Sequence, residues 1–167
     1  TMEIQRLDAL FRDEEELKEF TERHSKSSAK YKNIKDYSGG CYLGIDAGST
    51  TTKVVLLDQE GNILYSYYGS NKGNPLEQVI LALKDMYSIM PANCYIINSA
   101  ITGYGEGMIK AALKVDEGEI ETIAHYKAAK YFLPGVEFIL DIGGQDMKCL
   151  RVRRDTIDSI LLNEACS

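Results

Sequence analysis

The chain has 167 residues, of which 44% are hydrophobic and 26% are charged, and its formal net charge is −6. These values are typical of a globular protein of one domain or parts of two. They argue against a membrane-spanning protein and a general nucleic-acid surface, because no apolar run is long enough to cross a bilayer and no basic face offsets the acids. With no secretory signal at its start, the sequence predicts a cytoplasmic protein.

Residues 1–38 are predicted to form a helical leader and a linker. Apolar residues recur at helical spacing among acids and lysines, at Leu7, Leu10, Phe11, Leu17 and Phe20. The run 25–37 is polar and typical of a linker. We expect a solvated linker helix without a functional role.

From residue 41 the pattern predicts three strands, at 41–46, 52–58 and 63–68. The first strand ends at Asp46, and the turn that follows contains Gly48. Four further donors lie in or beside this turn: Ser49, Thr50, Thr52 and Lys53. Glycine allows backbone N–H groups to approach an anion, while hydroxyl and ammonium groups donate to it. The pattern indicates a phosphate-binding hairpin with Asp46 holding a hydrated Mg²⁺; the alternative is an ordinary glycine hairpin.

A helix is predicted next, with Asn74 as its N-cap, Pro75 at its first position and Pro91 at its end. Its apolar stripe, expected to be core, is Leu76, Val79, Ile80, Leu83, Tyr87 and Met90. Residues 94–102 read as a buried strand. We expect a flexible loop at the edge of a cleft where the glycines 103, 105 and 107 follow. A second helix is predicted over 119–132, with the stripe Ile120, Ile123, Ala124, Ala128 and Tyr131.

Strands at 138–141, 147–153 and 156–162 complete the pattern. The first of them ends at Asp141, which lies 95 positions after Asp46 and repeats the order of apolar strand, acid and glycine turn. The turn contains Gly143, Gly144 and Gln145. Two similar hairpins predict two lobes that share a cleft, where one acid orders a metal and the other orients a water. The alternative for Asp141 is a residue that only terminates its strand.

This pattern predicts an α/β protein with a first lobe at 39–137 and the start of a second, incomplete lobe at 138–167. We therefore expect a fragment of a larger protein.

Three further features need an interpretation. Cys41, Cys94 and Cys149 lie in apolar strand patterns and are expected to be buried, whereas Cys166 has polar neighbours. The basic cluster Arg151, Arg153 and Arg154 is interpreted as an exposed strand edge. His125 follows Glu121 by four residues, so a surface pair and a role beside a nucleotide are both open.

Several segments together resemble one protein family. They are 42–53, Thr102-Gly103-Tyr104-Gly105, Glu121 with His125, 141–146 and Asn163-Glu164-Ala165-Cys166. In this order they are similar to the activases of 2-hydroxyacyl-CoA dehydratases, kin to the ATPase subunits of benzoyl-CoA reductase. These proteins belong to the superfamily of sugar kinases, actin and heat-shock ATPases. The resemblance implies a ribonuclease H-like (actin-like ATPase) fold with a mixed sheet.

The resemblance also implies a function for the intact protein. ATP hydrolysis would drive a low-potential electron from a [4Fe–4S] cluster, held between two subunits or paired modules, to a dehydratase or acyl-CoA reductase. Asp46 and Asp141 would serve Mg²⁺ and water, and Cys166 falls on the first cluster ligand. The phosphates would contact residues of both hairpins: Gly48, Ser49, Thr50, Thr52, Lys53, Gly143, Gly144 and Gln145. Partners would include a low-potential electron donor.

Two other functions remain open. A small-molecule kinase of the same superfamily would use Asp141 or Asp146 as a base towards a substrate hydroxyl. A non-catalytic nucleotide-binding module of a fusion protein would bind without turnover. The kinase gives no natural explanation for the segment that contains Asn163 and Cys166.

Overall fold

The computed structural model describes residues 8–143 and 147–162. Its helices are α1 (Glu14–Ser25), α2 (Pro75–Ile89), α3 (Glu106–Leu113) and α4 (Glu121–Phe132), with a short 3₁₀ turn at Ile34–Asp36. Its strands are β1 (Gly39–Ala47), β2 (Thr51–Leu57), β3 (Ile63–Ser70), β4 (Cys94–Thr102), β5 (Glu117–Gly118), β6 (Phe138–Ile142), β7 (Met147–Arg153) and β8 (Thr156–Leu162). Within the described residues no helix is both long and apolar enough to cross a membrane.

A five-stranded mixed sheet forms the first unit, in the order β3-β2-β1-β4-β5. Consecutive hairpins make β1, β2 and β3 antiparallel, whereas β4 returns through α2 to lie parallel to β1. A parallel neighbour requires such a crossover, which is why the helix intervenes. The predicted order of three strands, a helix and a strand is confirmed.

Helix α2 covers one face of this sheet. The predicted N-cap is confirmed, because the Asn74 side chain accepts a hydrogen bond from the Glu77 N–H. The residues that it buries are Gln78, Val79, Ala82 and Met86. Of the predicted stripe, only Val79 is fully buried, while Leu76, Leu83 and Met90 are partly buried and pack against the core. The prediction was wrong for Tyr87, which is 56% exposed. The small Ala82 faces the sheet instead, and the helix therefore turns the bulky tyrosine outward.

The linker before β1 contributes to the core. Ile63 donates its N–H to Lys30 O at 2.8 Å and accepts from Lys32 N at 3.0 Å. Ile34 is only 4% exposed and belongs to the main apolar cluster. Part of the run predicted as a polar linker is therefore bound to the edge of β3. Helix α1 differs, since all its residues are exposed or half-buried.

Asp58 organises the turn between β2 and β3. Its carboxylate accepts hydrogen bonds from the backbone N–H groups of Glu60 and Asn62, from the Asn62 side chain and from Lys32 Nζ at 2.8 Å. Burial alone would raise the pKa of Asp58, but the hydrogen bonds from Lys32 and Asn62 outweigh it and hold the pKa well below its usual range. The turn therefore depends on an ionised carboxylate that is 2% exposed.

Replacing Asp58 with Asn should lower the free energy of unfolding by about 1–3 kcal/mol at pH 7, because buried donors lose a charged acceptor. A lowered folded-state pKa stabilises the fold above the unfolded-state value, and this stabilisation is lost as the pH falls from about 4 towards the folded-state pKa. Urea denaturation at pH 7 and pH 3 should show the difference from wild type shrinking in acid. Glu60→Gln, an exposed partner of the same lysine, should change stability little at either pH.

Two elements in this unit were not predicted. Residues 106–113 form α3, where a glycine-rich loop was expected, and β5 adds two residues at the edge of the sheet. Only Gly103 and Gly105 remain in the loop before α3. Because Gly107 lies inside a helix, its presence in the sequence concealed the start of that helix.

The second sheet is antiparallel, in the order β6-β7-β8. Leu150 and Val152 of β7 are buried. Arg151 and Arg153 are exposed, but they project from the central strand, so the prediction of an edge strand was wrong. The predicted domain boundaries at residues 38 and 137 stay predictions.

Candidate functional site

The hairpin of β1 and β2 places an acid and a cation side by side. Asp46 and Lys53 are directly paired in the ladder, so both side chains project from the same face of the sheet. Lys53 Nζ donates to Asp46 Oδ2 at 2.7 Å. The Asp46 side chain is 22% exposed, which leaves it accessible to a bound cation or water. This arrangement fits a carboxylate that holds a hydrated Mg²⁺ next to an ammonium group that neutralises phosphate.

The loop between these strands is compact. Gly48 donates its N–H to Thr51 O at 3.0 Å, which closes the turn. A side chain at Gly48 would bring a Cβ to 3.1 Å from the same carbonyl oxygen. Ser49 and Thr50 are exposed at the tip. Their hydroxyl groups are therefore the donors that the loop offers to an anion.

Asn71 holds this loop through two hydrogen bonds. It was not predicted as a site residue. Its side-chain Nδ2 donates to Gly48 O at 2.7 Å, and its backbone N–H donates to Thr50 O at 3.0 Å. The residue is 1% exposed. In the sequence it lies in a polar run before Gly73 that is typical of any turn, so no local pattern distinguished it.

Thr52 lies on the opposite face of the sheet from Lys53. Its side chain is buried, and its Oγ1 has no hydrogen-bond partner within the described part of the chain. Of the four donors predicted for this loop, Ser49 and Thr50 are therefore exposed, Lys53 is paired with Asp46, and Thr52 faces the core. The phosphate contacts of all four stay predictions.

The end of β4 packs directly against the end of β1. Gly103 has φ +97°, and a Cβ at this position would lie 2.6 Å from Ala47 O and 2.9 Å from Asp46 Oδ1. Gly105 donates its N–H to Ala47 O at 3.0 Å. The loop thus fixes the carbonyl next to Asp46 and leaves room only for glycine at residue 103.

The second hairpin contains Asp141 on β6. Its Oδ2 lies 2.6 Å from Nδ1 of His125 on α4. The spacing in the sequence suggested a pair of His125 with Glu121, but His125 contacts Asp141. The Glu121 carboxylate instead lies 3.9 Å from Lys148 Nζ of β7. Gly143 is described, whereas Gly144, Gln145 and Asp146 lie outside the described residues.

The cysteines divide into three groups. Cys41 and Cys94 are buried, as predicted, whereas Cys149 is half-buried and that part of the prediction was wrong. Leu161, its neighbour across the strand pair, is exposed, so this face of the second sheet is open. Cys166 and residues 163–165 lie outside the described residues. Within those described, no three or more His, Cys, Asp or Glu residues are grouped to hold a metal.

Known proteins resemble this chain over the part that contains both hairpins. Residues 43–167 match the model of the BadF/BadG/BcrA/BcrD ATPase family. An uncharacterized protein of Methanocaldococcus jannaschii is 34% identical over 128 residues, 75% of this chain and 49% of that protein. The (R)-2-hydroxyglutaryl-CoA dehydratase activating ATPase of Acidaminococcus fermentans is 27% identical over 128 residues, 75% of this chain and 47% of that protein.

A solved structure agrees with these sequence matches. The activator of the 2-hydroxyisocaproyl-CoA dehydratase from Clostridium difficile, with bound ADPNP, superposes with a TM-score of 0.61 at 27% identity. The match covers 75% of this chain and 46% of that one. The predicted activase resemblance and actin-like ATPase fold are confirmed. The chain spans about half the length of the curated relatives that it matches.

Proposed function

The chain belongs to the BadF/BadG/BcrA/BcrD ATPase family, and from that membership we propose that it supplies phosphate-binding elements of an ATP-hydrolysing activator. The protein activated would be a 2-hydroxyacyl-CoA dehydratase or an acyl-CoA reductase. The observation that carries the proposal is the β1–β2 hairpin, where Asp46 and Lys53 flank a loop held by Asn71. Relatives named as dehydratase activators support the class of partner.

The first hairpin would hold the metal and the phosphates. Carboxylate oxygen is a preferred ligand of Mg²⁺, which keeps most of its waters, so Asp46 would bind the hydrated ion. Lys53 would place its charge beside the phosphate oxygens, and Ser49 and Thr50 would donate from the exposed tip. The hydrogen bonds of the buried Asn71 would keep these groups in place before the nucleotide binds. This would lower the entropy loss on binding.

The second hairpin would act on the attacking water. Asp141 would accept a hydrogen bond from this water and orient it. His125 would hold the carboxylate through the contact at 2.6 Å. Gly143, Gly144 and Gln145 would approach the phosphates from this side. Helix α4 would then link the two hairpins, since it follows the first sheet and contacts the second.

A [4Fe–4S] cluster, when bound, would supply the low-potential electron to the partner. Cysteine thiolates are its usual ligands, and Cys166 is the ligand that we propose from this chain. The described thiols do not fit the cluster, because Cys41 and Cys94 are enclosed in the first sheet and no group of three or more potential ligands within the described residues contains Cys149. The other ligands would therefore come from further residues of the natural protein or from a second copy.

The natural protein that contains this chain tests the proposal. We expect ADPNP to bind in isothermal titration calorimetry, with Mg²⁺ increasing the affinity, and ATP to be hydrolysed to ADP and phosphate. Binding without hydrolysis, in the presence and absence of a dehydratase, would favour a non-catalytic module. Transfer of the phosphate to a small-molecule hydroxyl would instead support a kinase.

Replacing His125 with Gln should lower kcat for ATP hydrolysis on the order of tenfold and leave KM nearly unchanged, because His125 contacts Asp141 and orients its carboxylate without touching the nucleotide in this proposal. Steady-state kinetics of the purified variants would measure kcat and KM separately. Glu121→Gln is a matched control, because Glu121 also links α4 to the second sheet but does not contact Asp141. Equal losses in both variants would show that His125 only attaches the helix.

A further inference from the structure

Two cysteine thiols are in contact inside the first sheet, at the end of the strands away from Asp46. Cys41 lies near the start of β1, and Cys94 is the first residue of β4, its parallel neighbour. Their sulfur atoms are 3.0 Å apart. A disulfide bond is about 2.0 Å long, so the sulfurs need to approach by only about 1 Å to form one.

Access to this pair is asymmetric. A groove of about 460 Å³ is lined by Cys94 together with Tyr87, Met90 and Tyr95. Cys94 is 7% exposed, whereas Cys41 is fully enclosed. The groove therefore reaches Cys94 but not Cys41, whose sulfur lies 3.0 Å from that of Cys94.

The environment of Cys41 explains why it would not react alone. Burial raises the pKa of Cys41 to about 12, and the neighbouring Cys94 thiol adds to the shift. Because a thiolate is the reactive form, this raised pKa disfavours direct oxidation of Cys41 at neutral pH. Its reaction depends on a sulfur that has already been activated in contact with it.

We propose that Cys41 and Cys94 form an oxidisable dithiol, which hydrogen peroxide converts into a disulfide between β1 and β4. The Cys94 sulfur attacks one peroxide oxygen, giving a sulfenic acid and one water. The Cys41 sulfur then attacks the Cys94 sulfur, forms the S–S bond and releases the second water. Two thiols and one peroxide thus give one disulfide and two waters. This site is independent of the proposed ATPase function.

Peptide mapping of the folded chain tests the proposal. After exposure to hydrogen peroxide, free thiols are alkylated and the protein is digested with trypsin without reduction. The sequence predicts that Cys41 lies in peptide 36–53 and Cys94 in peptide 85–110. We expect these two peptides to appear as one disulfide-linked species. Its mass should be two hydrogen atoms below the sum of the two free peptides, and reduction should separate it into those peptides. Cys149 lies in its own peptide 149–151, so its reaction is counted separately.

Two variants identify the order of the steps. In Cys41→Ala, the Cys94 sulfenic acid should persist and be trapped by dimedone, whereas Cys94→Ala should leave Cys41 unmodified. Cys149→Ala should form the linked peptides as wild type does. The proposal is overturned if the folded wild-type protein yields no linked peptides, or if they form only after denaturation in guanidinium chloride. The wild-type result decides the matter even if a core variant fails to fold.

Discussion

Replacing Asp46 with Ala should reduce kcat for ATP hydrolysis by at least about a hundredfold, a loss comparable to removing a preorganised electrostatic group from an active site. The reason is geometric, because Asp46 is the acid at the end of β1 and lies in contact with Lys53 at 2.7 Å. Without it, Mg²⁺ would lose its protein ligand, and Lys53 would lose the partner that positions it. Release of phosphate from ATP by the natural protein, measured at saturating Mg²⁺, tests the prediction.

The control separates this role from a general loss of surface charge. Asp36 is an exposed acid near the start of the same sheet, and its carboxylate accepts a hydrogen bond from Asn33. Asp36→Ala should leave kcat unchanged. Retention of more than half of the wild-type kcat in Asp46→Ala would contradict the assignment of Asp46, whatever the effect on KM.

Replacing Gly103 with Ala should lower the free energy of unfolding by about 2–4 kcal/mol and weaken ADPNP binding. Two costs add here: a φ of +97° strains any L side chain, and the new Cβ would lie 2.6 Å from Ala47 O. Ala47 O also accepts the Gly105 N–H, so relief of the clash displaces the end of β1. Urea denaturation measures the stability, and calorimetry measures the nucleotide affinity.

Gly107 provides the matched control, because it lies four residues further along, inside α3, with open space at its Cβ position. Gly107→Ala should be neutral or stabilise the fold by up to about 1 kcal/mol, since alanine favours the helix. If both variants unfold at the same urea concentration as wild type, the loop does not fix β1 in the way inferred.

Local patterns were sufficient to predict most strands and the order of three strands, a helix and a strand in the first unit. The Asn74 cap and the two apolar segments on either side of the Gly48 turn are short-range features that determine an element by themselves. The start of α3 was missed because its N-cap is Gly105 and Gly107 follows within the first turn, which resembles a loop. The buried face of α2 differs from the predicted one because Ala82 packs in the core and Tyr87 is exposed, an orientation that hydropathy alone does not encode.

The part of the site that lies within a single hairpin was predictable from the sequence. Asp46, Gly48 and Lys53 are close in sequence, and the hairpin brings them together. The contact of Asn71 with Gly48 and the contact of Cys41 with Cys94 were not predictable, because each joins residues that are 23 or more positions apart in the sequence. The partner of His125 was equally hidden, since helical spacing indicated Glu121 and the second sheet supplies Asp141.

Iron and acid-labile sulfide in the anaerobically purified natural protein test the central claim, that the chain serves an electron-transferring activator. Wild type is compared with Cys166→Ala, and Cys149→Ala serves as the control. We predict iron and sulfide in wild type and in Cys149→Ala, and their loss in Cys166→Ala. A wild-type protein that hydrolyses ATP but contains neither iron nor sulfide would contradict the claim.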